Sequence, residues 1–220
     1  MGKGNDWKRI LIFSDVHSVF VDNKAWKIFL QVVEDYKADE VWSNGDLLDC
    51  VGISEHVHKL ALHSPEVIDD FPFGYEIDFT RTQLLEPLRK AMGPKAKLVL
   101  RLGNHEWRFL RPNRANAKAL AEILDTCARR GQTTLEGLLR LNSPKINARL
   151  SYNGVDDLYG FTVIHGVKTS PGAPKANLMR YGSGTSGHSH RSNSSVQEAE
   201  GKAAGWWETS CLRTTRKVEC

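Results

Sequence analysis

Five short stretches of this chain combine Asp, His and Asn in a way that can hold cations. They are Asp15-Val16-His17, Gly45-Asp46-Leu47-Leu48-Asp49, Gly103-Asn104-His105-Glu106, His165-Gly166 and Gly187-His188-Ser189-His190. Carboxylate, amide oxygen and imidazole are hard-to-borderline ligands that suit Mn, Fe, Co, Ni or Zn. No thiolate joins them, which argues against a structural zinc site. Together they offer enough donors for two divalent ions, and paired ions are a standard device for displacing an alcohol from phosphorus with water. Each piece alone is weak. Gly-Asp or Gly-Asn after a strand is often turn chemistry, and a lone His there is commonly structural. The set uses five of the eight histidines, which favours one shared site over scattered turns.

The elements around these stretches explain how they would meet. Arg9–Phe13, Glu40–Asn44, Lys97–Leu102 and Phe161–Ile164 are apolar-rich runs that read as strands. Each stops just before a candidate ligand. Asp22 reads as a helix cap, followed by Trp26, Phe29, Leu30 and Val33 on one helical face. Strand, helix, strand in this order is the pattern of a parallel sheet with crossover helices. Ligands in such folds belong at the carboxyl ends of strands.

Between the second and third strands, residues 51–95 form an excursion read as a helical lid. Within it, Thr80 and Gln83 resemble a capping box, Pro87 predicts a kink, and Gly93-Pro94 ends the helix. Residues 108–149 read as helical and basic. Ala117, Leu120, Leu124 and Cys127 share one expected face, Arg129-Arg130-Gly131 is a helix stop, and Thr133 with Glu136 suggests another capping box. Trp206–Leu212 reads as a last strand.

Length and composition fit one domain over residues 1–220, with ordinary apolar and charged content. No apolar run reaches the length of a membrane span, and the polar start shows no secretory signal. Cys50, Cys127, Cys211 and Cys220 lack framework spacing and are read as free thiols in a cytoplasmic protein. The net charge of +4 is compatible with an anionic substrate.

The ordered set D-x-H, G-D-x-x-D, G-N-H-E, H-G and G-H-x-H resembles the calcineurin-like metallophosphoesterase superfamily, across residues 15 to 190. The flanking Trp107-Arg108 and Arg191 resemble phage and prophage members. The resemblance implies an α/β fold, an αββα sandwich of mixed sheets with flanking helices and the site at strand carboxyl ends. It implies Asp15, His17 and His190 on one ion, Asn104, His165 and His188 on a second, and Asp46 bridging both. Mn²⁺ is the expected metal. A hydroxide held between the ions would attack phosphorus, His105 would be the general acid, and Asp49 would orient His105 and raise its pKa. Two features depart from the pattern. Cys50-Val51 stands where protein phosphatases carry Arg-Gly, and only 30 residues follow the last histidine motif.

Residues 108–149 carry nine basic and three acidic side chains. This is either a phosphate-backbone track or a solvated helical surface. His56, His58 and His63 are either substrate contacts or surface packing. Phe71, Phe73, Tyr75 and Phe79 either stack on a base or pack together. The expected activity is hydrolysis of phosphate esters, leaning to phosphodiesters of nucleotides or nucleic acid. A phosphomonoesterase or protein phosphatase, and a non-catalytic scaffold on the same fold, are the alternatives.

Overall fold

A computed structural model describes residues 7–54, 71–199 and 201–214 of the chain. Four strands, β1 (Ile10–Phe13), β2 (Glu40–Ser43), β3 (Lys97–Arg101) and β4 (Ala148–Ser151), form a parallel sheet in sequential order. A second sheet has the order β5-β6-β7-β9-β8. It is built from β5 (Asp156–Leu158), β6 (Phe161–Ile164), β7 (Gly184–Ser186), β8 (Asn193–Ala199) and β9 (Lys202–Glu208). Its central β6–β7 and β7–β9 pairs are parallel, and its outer pairs are antiparallel.

Alternation along the strands decides what each face meets. Ile10, Ile12, Trp42 and Val99 point from the first sheet onto Leu158, Phe161 and Val163 of the second. The intervening residues Leu11, Phe13, Val41, Leu98 and Leu100 face the main core with the helices. On the far side of the second sheet, Ile164 and Trp206 pack against Leu178 of a helix over Ala173–Tyr181. The layers are therefore helix, sheet, sheet, helix, the expected αββα sandwich.

Helix α1 (Asn23–Tyr36) begins where expected, with the Asp22 carboxylate accepting from the amides of Lys24 and Ala25. Most departures come from the excursion and the helical segment. Residues 73–92, expected in a lid, form core helix: α2 (Phe73–Phe79), a π-helical turn (Thr80–Leu85) and α3 (Glu86–Met92). Phe73, Ile77, Leu84, Leu85 and Leu88 are fully enclosed. Thr80 opens no helix, because it lies inside this one and its hydroxyl donates to the Glu76 carbonyl. The wide turn just before Pro87 absorbs a residue that lacks an amide hydrogen and whose ring would clash with an earlier carbonyl. Residues 55–70, with His56, His58 and His63, lie outside the described residues. Phe73 stacks on Phe109 at 5.6 Å within the core, so the aromatic group packs rather than presenting that ring to a substrate.

Beyond the short helix α4 (Trp107–Leu110), helix α5 (Ala117–Arg130) ends at Gly131, whose φ is +60°. Its buried stripe is Ala119, Ile123 and Thr126, and Leu124 is exposed. The next helix, α6 (Leu135–Leu138), is capped by Thr134 rather than Thr133, and Glu136 instead accepts from the Tyr152 hydroxyl. The helix against the second sheet is α7. Cys50, Cys127 and Cys211 are free thiols. No helix among the described residues is long and apolar enough to cross a membrane.

Candidate metal centre

The loops leaving β1, β2, β3, β6 and β7 converge at one edge of the sandwich. Backbone bonds zip the first two together: Asp15 N to Gly45 O at 3.1 Å, His17 N to Asp46 O at 3.0 Å, and Ser18 N to Leu47 O at 2.8 Å. The two sheets are stitched at the same edge. Asn44 Nδ2 donates to the Ile164 carbonyl, and the Asp15 carboxylate accepts from the His188 amide at 3.0 Å. Two motif glycines are required by close approach. A Cβ on Gly103 would lie 2.1 Å from Asp46 Oδ1, and one on Gly187 would lie 2.0 Å from Ser14 Oγ.

Three overlapping side-chain groups could hold a cation among the described residues: Asp15 with His17 and His190, Asp46 with His165 and His188, and His17 with Asp49 and His105. In the first, His17 Nε2 and His190 Nε2 are 2.9 Å apart, and His190 Nε2 is 3.3 Å from Asp15 Oδ1. In the second, His165 Nε2 is 3.1 Å from Asp46 Oδ2 and 2.9 Å from Asn104 Oδ1. Donors about 2.1 Å from a shared ion, at right angles or wider, lie roughly 3.0 Å or more apart, so these spacings fit cation ligation. The outer ring nitrogens are fixed as well. His17 Nδ1 donates to Asp49 Oδ2 and His165 Nδ1 donates to the Asn44 carbonyl, which turns both Nε2 atoms inward. The sequence-predicted residues thus come together. A family model for calcineurin-like phosphoesterases matches residues 8–208.

The chain belongs to that family. Membership makes this calcineurin-like phosphoesterase a phosphoric ester hydrolase, and the donor set agrees with divalent-metal chemistry. A search of curated proteins found no match.

Five of the donor residues, Asp15, His17, Asp46, His188 and His190, hold left-handed backbone conformations with φ between 51° and 68°. Such geometry in residues other than glycine costs on the order of 1 kcal/mol each. The surrounding hydrogen bonds must therefore over-determine these loops. One contributor that motif reading left without a role is Glu106. Its buried carboxylate accepts from the amides of Gly103 at 2.8 Å, Leu48 at 2.8 Å and Asp46 at 3.2 Å, locking the second and third motifs together. The only sequence signal was its place in G-N-H-E. Burial, with Asp46 nearby, pushes its pKa up to about 7. Glu106→Ala strands three buried donors at about 1–3 kcal/mol each. We expect thermal unfolding roughly 10 °C lower by scanning fluorimetry, and an unchanged midpoint would contradict the clamp. Farther from the donors, Glu76 acts in the same way, accepting from the amides of Asp49 and Cys50.

His105 and Asp49 differ from the sequence reading. The Asp49 carboxylate is committed to His17, and it is the Asp49 carbonyl that accepts from His105 Nδ1, at 2.6 Å. Burial dominates at His105. Despite Asp46 and Asp49, desolvation, with the charges of His17 and Arg108, lowers its pKa to about 4. The expected upward shift is therefore overturned, because a carboxylate 3.8 Å away does not offset the loss of water. Arg108, also unassigned from sequence, donates to the same Asp49 carbonyl at 2.8 Å.

At His165 burial also works against the cation, but the hydrogen bond and charge of Asp46, with Asp15 and the Asn44 carbonyl, raise its pKa to about 9. Below that pH the ring carries a proton where an ion would bind, and an entering cation must displace it. We therefore expect metal affinity to strengthen about tenfold per pH unit between pH 6 and 8 for this one proton. In the metal-free protein the sign is opposite. The stabilising His165–Asp46 interaction is fully present below the ring's ordinary pKa and is lost as pH rises through about 9. Isothermal titrations at three pH values check the first statement, and a pH-independent affinity would refute it.

Proposed function

We propose that this phosphoesterase hydrolyses phosphodiesters, with two divalent cations, Mn²⁺ first among them, held by seven side chains. Asp15, His17 and His190 form one set, Asn104, His165 and His188 the other, and Asp46 serves both. The carrying observation is the convergence of these donor groups, Asp15/His17/His190 and Asp46/His165/His188 among them, at one sheet edge. When bound, such ions supply Lewis acidity and an activated water.

The chain's own residues perform the remaining tasks. His105 lies at the rim of both groups, with Nε2 3.8 Å from Asp46 Oδ2 and its ring 4.7 Å from that of His17. With Nδ1 tied to the Asp49 carbonyl, Nε2, which has the Arg108 guanidinium 3.4 Å away, is the atom that would deliver a proton to the leaving oxygen. Its lowered pKa means the ring is mostly neutral at pH 7, so the anionic ester must draw the proton onto it. Arg108, within 3.0 Å of His105 Nδ1, brings a fixed positive charge to the place where Cys50 replaces the arginine of protein phosphatases. That substitution supports a diester over a phosphoprotein. The basic segment gives less support to a long nucleic-acid track, since Arg129 pairs with Asp125 and Arg130 with Asp78. A cytoplasmic setting suits the free thiols.

The test compares bis-(p-nitrophenyl) phosphate with p-nitrophenyl phosphate under Mn²⁺. Faster diester turnover that chelation abolishes is expected. A strong monoester preference would remove the diester assignment, and no turnover of either ester would remove the catalytic one.

A further inference from the structure

Directly beside the second donor group lies a cavity of about 250 Å³, between the end of β3, the loop after β6 and α7. It is near the small end of the roughly 300–1,000 Å³ range of ligand pockets. Asn104 and His165 belong to its lining, so a molecule seated there is contiguous with an ester held at the candidate centre. Three aromatic side chains, Trp107, Tyr152 and Tyr181, also line it. Trp107 has the Arg111 guanidinium over its ring at 4.6 Å, and Tyr181 has that of Arg180 at 5.1 Å.

The decisive side chain is Asn177 on α7. It lines the cavity and is only 9% exposed, so its amide is available to a molecule seated there. A largely buried amide in a cavity wall favours a ligand that can hydrogen-bond with it. The terminal nitrogens of the nearby Arg101 are engaged with Asp156 and with the Asn153 and Gly154 carbonyls, and its unpartnered Nε is buried, so they do not supply the recognition.

We propose that this cavity takes the nucleoside part of a nucleotide ester, its base lying against the aromatic walls and its edge meeting Asn177. The location rests on the phosphoesterase reading above, whereas the chemistry of the cavity does not. An asparagine amide presents a donor and an acceptor in one plane, the complement of a base edge that carries both. Aromatic walls accept any base face. A flat base face covers the rings more fully than a sugar does, and an acyl chain leaves the amide unmatched. The base must be unpaired, because pairing would occupy the edge that Asn177 needs.

The test titrates the four nucleoside 5′-monophosphates and ribose 5-phosphate into the full chain under Mn²⁺ by calorimetry. At least one nucleotide is expected to bind about tenfold tighter than ribose 5-phosphate, as stacking on aromatic side chains gives. Asn177→Ala and the half-exposed Tyr152→Ala should each remove most of that ratio. Equal affinities for all five ligands, or a ratio untouched by both variants, overturn the proposal. Turnover of bis-(p-nitrophenyl) phosphate by the same wild-type sample reports separately on the phosphoesterase reading. Selective nucleotide binding without turnover keeps the cavity assignment and sinks the catalytic one, and turnover without selectivity does the reverse.

Discussion

Asp46→Asn should lower kcat/KM for bis-(p-nitrophenyl) phosphate by about a thousandfold or more, the loss expected when roughly 4 kcal/mol of charge stabilisation disappears. Asp46 occupies the junction of the site. One oxygen accepts from the His105 amide at 3.0 Å, and the other faces His165 Nε2 at 3.1 Å. Burial alone would raise its pKa, but the hydrogen bond and charge of His165, with His105 and His17, hold it below the usual carboxylate range. It is therefore a carboxylate in a place where an amide is nearly isosteric but uncharged. The amide would keep the shape and lose the attraction for cations. Metal content measured on the same sample should fall below two ions per chain. Activity within tenfold of wild type, with both ions retained, would show that the carboxylate is not shared.

His105→Ala is expected to have the next largest effect, with a signature of its own. The ring should not be needed to hold metal, so two ions should remain. Removing a general acid costs roughly 10²–10⁴ in rate, but only where the leaving group needs a proton. Alkyl esters should suffer that full loss, and p-nitrophenyl esters about tenfold or less. Equal losses for both would assign His105 to positioning. The Arg108 guanidinium beside the ring makes the comparison sharper, because it remains in the variant to hold charge while proton delivery is gone.

The candidate site was legible because its signals are short, polar and placed straight after apolar runs. Ile10–Phe13 ends two residues before Asp15, and Phe161–Ile164 ends immediately before His165. Other regions carried no such contrast. Strands β5 and β7, with sequences DDL and GTS, are too short to show a period. Strand β8 is a largely polar edge strand that exists because β9 pairs with it over seven residues. That hairpin forms the edge of the second sheet beside β7. On α5, apolar residues occur on two adjacent stripes, and only contact with the core chooses Ile123 over Leu124. Glu106 and Asn177 were invisible for another reason, because a buried partner or a place in a cavity wall is a property of three-dimensional neighbours.

The segment after β9 folds back onto the first motif. Leu212 donates its amide to the Asp15 carbonyl and accepts from the Asp22 amide, and Arg213 bridges to Val21. His17 and His190, 173 positions apart, already require most of these elements before their rings can meet. A polypeptide emerging from the ribosome N-terminus first therefore exposes Asp15 and His17 long before their companions exist. On the proposed two-ion reading, the candidate donor set is complete only after His190 has been made and is braced only once Leu212 follows, so ion capture would be a late event in the birth of the molecule.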